Sequence, residues 1–207
     1  MRVIDDLTMA WRIGACAVFV LLLQCGALTR AWDGAEVRSH PATFLSGVAA
    51  GILVHETGHV AVAAAHGIGV GLHNLSIIYP GARMTDREHL RIASAGIQAQ
   101  WLLSEALLRG YERQKEKEPS LGAFKTGLVV SHLATTAAYL TVLKDNAEGD
   151  LLGMSDASGL STDQLAALVA IPAALDAWRL FGEDVPSWMP DVSLGFKGAA
   201  ITVVWTF

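Results

Sequence analysis

Apolar runs alternate with short polar breaks along the chain, at residues 13–28, 44–65, 90–108, 121–143, 165–181 and 192–207. A helix needs about 20 apolar residues to cross the hydrocarbon core of a bilayer. The second and fourth runs meet that length. The third is interrupted by Arg91, Gln98, Gln100 and Glu105, and the fifth contains Pro172, which predicts a kink or break. The last closes on Thr-Val-Val-Trp-Thr-Phe, a strand-like composition that suits a tilted helix or an interfacial piece. Residues 13–28, with Arg2 and Arg12 ahead of them, read as a retained helix rather than a signal peptide. Asp5 and Asp6 spoil a basic leader, and no small-x-small cleavage site precedes Trp32.

Between the second and third runs, Gly67, Gly69, Gly71, Tyr79, Pro80 and Gly81 are separated by short apolar pieces, which predicts a β-hairpin or a re-entrant loop. The expected fold is therefore all-α: a polytopic integral membrane bundle of four to six spans with a short β-like or re-entrant loop. Residues 1–207 form one membrane-embedded domain in this reading, with 1–43 an N-terminal apolar segment and linker and 44–181 the catalytic core. Composition agrees. Hydrophobic residues make up 52% and charged residues 17%, against about 25% charged in an average soluble domain. A net charge of -5 leaves no basic face for nucleic acid. Cys16 and Cys25 share one apolar run and imply no disulfide framework.

Inside the second run stands His55-Glu56-Thr57-Gly58-His59, an instance of H-E-x-x-H. Four residues turn a helix by about 400°, so both imidazoles project from one face and can reach one zinc ion. Glu56, offset by about 100°, can take a proton from metal-activated water and pass it to a leaving amine. Chance predicts roughly 0.01 occurrences of this pattern in a chain of this composition. Ionisable groups at membrane depth are costly and read as functional by default.

This motif within an apolar helix resembles the site-2 protease family of intramembrane zinc metalloproteases. Ser94-Ala95-Gly96-Ile97-Gln98-Ala99-Gln100 looks like a variant of that family's middle motif, with Ile97 in place of its Pro and Gln100 in place of its Asn. The resemblance implies an Asp from a distant helix as third metal ligand, although the family's Asn-Pro and Leu-Asp-Gly signature is absent. Asp150, between Gly149 and an apolar pair, is the leading choice. Asp156, Asp145, His132, Glu105, Asp176 and His66 are the alternatives.

Gln98 and Gln100 are candidates to hold a substrate backbone or an oxyanion, or else to make interhelical hydrogen bonds. The expected activity is a zinc-dependent endopeptidase that cleaves peptide bonds in or near transmembrane segments. Glu56 is its general base and acid, and metal-activated water its nucleophile. Expected partners are the lipid bilayer and a membrane protein or peptide substrate, with the cell (inner) membrane as location. The alternative is a non-catalytic zinc-binding membrane protein, a transporter component or a metal sensor.

Overall fold

A computed structural model describes residues 31–73, 76–146 and 149–206. The apolar run at 13–28 lies outside the described residues. Among those described, the architecture is seven helices and one two-stranded hairpin. The helices are α1 (Gly34–Ser39), α2 (Pro41–Ala65), α3 (Asp86–Gln114), α4 (Ala123–Leu140), α5 (Asp150–Ser158), α6 (Thr162–Phe181) and α7 (Met189–Thr206). The hairpin pairs β1 (Gly71–His73) with β2 (Ser76–Ile78), antiparallel, with Leu72 opposite Ile77. The all-α expectation holds, and the loop after the His-Glu helix is a short hairpin.

Local signals set the helix ends. Pro41 opens α2, where its missing N–H costs nothing. Gly67, at φ 69°, closes the same helix: its N–H donates to the Ala64 carbonyl and that of Ile68 to the Ala63 carbonyl. This is the paired arrangement a left-handed residue allows after a helix. Reciprocal caps begin α3 (Thr85 with Glu88) and α6 (Ser161 with Gln164). Two sequence expectations that left alternatives are narrowed. The last apolar run forms a helix throughout its described length, because packing against α3 overrides the strand preference of its Val and Thr residues. And α6 continues through the buried Pro172 rather than stopping there.

Helix α2 crosses α4 at glycines. A Cβ on Gly47 would lie 2.2 Å from the Phe124 carbonyl oxygen, and one on Gly127 the same distance from that of Phe44. One turn on, a Cβ on Gly51 would meet Ser131 at 2.5 Å. Gly58, also on α2, faces the Ala95 carbonyl of α3 just as closely, at 2.5 Å. Small residues thus let two helices lie against α2 where the histidines are. The opposite side of α2 carries the exposed Leu45, Ile52 and Leu53. Helices α2 and α6 are each long and apolar enough to cross a membrane.

A second buried polar region joins α3, α6 and α7. Lys197 Nζ sits 2.8 Å from Asp176 Oδ1 and 2.9 Å from Glu105 Oε2. Arg179 Nη1 donates to the same Glu105 oxygen at 2.8 Å, and its Nε donates to Glu112 at 2.9 Å. Ser104 and Ser193 hydroxyls complete the carboxylates. The Asp176–Arg179 neighbour pair visible in the sequence exists at 3.4 Å, but it is one contact in a larger ionic cluster.

Candidate metal centre

Helix periodicity places His55 and His59 on the buried face of α2, and the structure brings the first residue of α5, Asp150, against them. The two Nε2 atoms are 3.1 Å apart. Asp150 Oδ2 lies 3.0 Å from Nε2 of His55, and Oδ1 lies 3.2 Å from Nε2 of His59. Among the described residues, these three are the group of metal-competent donors lying within 4.8 Å of one another.

The outer nitrogens fix what the inner ones carry. His59 Nδ1 is 2.7 Å from the Ile92 carbonyl, which can only accept, so Nδ1 bears the hydrogen. His55 Nδ1 faces Gln100 Oε1 at 3.3 Å, while the Gln100 amide nitrogen donates to the Gly51 carbonyl at 3.3 Å. With both imidazoles neutral, the two Nε2 atoms carry lone pairs directed toward each other and toward a carboxylate. In that state three acceptors face one another, an arrangement that could hold a cation. Nitrogens held in this way by outer carbonyls are the usual support of metal-ligating histidines.

The donor set fits zinc. Two imidazoles and a carboxylate are among its ordinary ligands, and tetrahedral bonds of about 2.0–2.1 Å separate donors by about 3.3 Å. The observed separations of 3.0, 3.1 and 3.2 Å are close to that value. Gly96 on α3 makes the arrangement possible, since a Cβ there would fall 2.5 Å from His59 Nε2 and 2.6 Å from His55 Nε2.

The centre opens into a cavity of about 400 Å³. Glu56 lines it, partly exposed, beside His55 and His59. Ile77, Ile78 and Tyr79 form one wall from β2 onward, and Gly149, Gly153 and Asp156 of the α5 region form another.

The remaining sequence candidates fall elsewhere. Gln98 donates to Ser94 Oγ at 2.7 Å and accepts from Trp205 Nε1 at 2.9 Å, tying α3 to α7. Gln100 ties α3 to α2 and orients His55. Neither amide is among the groups that line the cavity, so their placement gives them interhelical bonds in place of a substrate contact. Of the alternative ligands, His66 approaches Glu88 at 3.8 Å, and Asp145 accepts from Thr162. Glu105, Asp176 and His132 belong to the ionic cluster and its border, where His132 Nε2 is 3.6 Å from Asp176. Asp156 reaches the cavity wall but not the three donors.

Sequence reasoning misses Tyr139, whose hydroxyl is 2.5 Å from Asp150 Oδ2. A single tyrosine near the end of an apolar run has no spacing to mark it. No family model, no curated protein and no solved structure matches this chain.

Proposed function

We propose that the chain is a multi-pass membrane zinc endopeptidase acting on peptide bonds in or near transmembrane segments, in the cell (inner) membrane. The observation that carries this reading is the convergence of His55, His59 and Asp150 beside Glu56 on one cavity, with the first two in an apolar helix. The resemblance of residues 54–60 to the site-2 proteases supports the same reading.

His55, His59 and Asp150 would hold the ion. Bound there, zinc supplies Lewis acidity toward a peptide carbonyl and toward water. The chain's own residues do the rest. The Ile92 carbonyl and Gln100 hold the two imidazoles with Nε2 unprotonated toward the centre. The carboxylate of Glu56 accepts the proton of the attacking water and returns it to the departing amine nitrogen. The apolar side chains of Ile77 and Ile78 limit bulk water on one side of the cavity. Helices α3, α4 and α7 join α2 and α6 as spans, with their polar groups turned into the bundle.

The test is zinc content and cleavage of bilayer-embedded model peptides, measured on the wild-type chain and on Glu56→Gln. One zinc per chain in both, with cleavage reduced at least about 100-fold in the variant, is the expected result. Cleavage that survives Glu56→Gln overturns the assigned mechanism. Zinc retained without Glu56-dependent cleavage makes the centre a binding site alone.

A further inference from the structure

The third ligand of this centre has a partner of its own. Tyr139, on the last turn of α4, is 5% exposed and faces the cavity. Its hydroxyl lies 2.5 Å from Asp150 Oδ2 and 3.4 Å from His55 Nε2. A carboxylate only accepts, so the phenol donates, and the short separation is that of a charge-assisted bond. Asp150 Oδ1 faces His59 Nε2 at 3.2 Å.

We infer that Tyr139 is a positioning residue for the metal centre: its hydroxyl holds Asp150 by Oδ2 and presents the carboxylate to the two histidines. This deepens the metal reading above and rests on it. The physical need is specific to Asp150. His55 and His59 are locked by their helix and by the Gln100 and Ile92 carbonyls. Asp150 opens a helix of nine residues with no side-chain cap, so its backbone gives its carboxylate less support. Tyr139 comes from a long, well-packed helix and reaches across to supply that support. Each of the three donors thus has one outer partner: a glutamine amide, a backbone carbonyl and a phenol. An outer partner of this kind is worth about 10–100-fold in metal affinity.

The experiment measures zinc affinity by competition with a chromogenic chelator, on the full-length chain in detergent. The variants are Tyr139→Phe, Asp150→Ala and the double substitution, each compared with wild type at matched helicity and elution volume. For the Asp150→Ala pair, zinc is titrated to concentrations that fill a two-histidine site. Tyr139→Phe is expected to weaken zinc about tenfold when Asp150 is present and to change nothing when it is absent. Visible absorption of the cobalt-loaded chain is expected to shift in Tyr139→Phe at unchanged stoichiometry. Equal affinity in wild type and Tyr139→Phe would overturn the inference alone, as would an equal loss with and without Asp150, which would mean that the phenol acts through helix packing. No zinc on the wild-type chain would overturn the metal reading and this inference with it.

Discussion

The two buried polar regions of the bundle differ in how their charges are answered. Around Glu105, Asp176, Arg179 and Lys197, two carboxylates meet two cations at 2.8 and 2.9 Å, and serine hydroxyls take up the remaining oxygens. Arg179 reaches Glu112 and Arg109 reaches Glu105 as well, so each of these carboxylates faces at least one cation, and three helices are pinned together. At His55, His59 and Asp150 the imidazole hydrogens are turned outward and three acceptors face inward. With the imidazoles neutral, Asp150 faces two histidines and a tyrosine where the other cluster has lysine and arginine. A cluster whose carboxylates meet fixed cations is a fastening, whereas one built of neutral imidazoles and a carboxylate would suit a cation as its receptacle. The source of positive charge separates the two where ionisable character alone does not, and the histidine site also opens onto a cavity.

Breaking the fastening should have the largest effect. Lys197→Met leaves Asp176 and Glu105 short of one cation, and removing one partner of a buried ion pair costs about 3–5 kcal/mol. A much lowered thermal midpoint in detergent checks this, and replacing both Lys197 and Asp176 by apolar residues should recover much of the loss. Zinc stoichiometry should be unchanged in whatever fraction stays folded. If zinc is lost along with the ionic cluster, the two regions are not separate devices.

Gly96→Ala attacks the receptacle without touching a donor. Its Cβ would sit within 2.6 Å of both Nε2 atoms, so the imidazoles must move apart from Asp150. Zinc affinity should fall by more than the roughly 100-fold that the loss of an outer partner can cost, read as metal content after dialysis. The smallest effect belongs to Gln100→Leu. It frees His55 Nδ1 and removes the side-chain donor from the Gly51 carbonyl, weakening zinc about tenfold in a chelator titration. Unchanged zinc affinity in Gln100→Leu would show that the tautomer of His55 is set by something other than this amide.

What the sequence makes legible follows the range of the interactions. His55, Glu56 and His59 are separated by less than two helical turns, and rigid helix geometry fixes their relation before any fold is known. Asp150 is legible through resemblance and its flanking glycine, and the structure brings it to the histidines. The ionic cluster is visible only as the Asp176–Arg179 neighbours, because Glu105 and Lys197 arrive from other helices and no periodicity links them. Gln98 and Gln100 illustrate the same limit. Their polarity in an apolar run signals a role, but only packing shows that one amide reaches Trp205 and the other His55. The closing residues of α7 are locally ambiguous, since Val, Thr and Trp suit a strand, and packing on α3 selects the helix.

The placement of the donors also sets an order of assembly. His55 and His59 become neighbours as soon as one turn of α2 has formed, but Asp150 is synthesised two helices later. A growing chain therefore carries an incomplete set of these residues while α3 and α4 form. Only when α5 docks, bringing its first residue under Tyr139, do all the donors converge. Metal capture is by this logic a late event in biogenesis, and a bound ion would be a receipt for a finished fold rather than a nucleus for it.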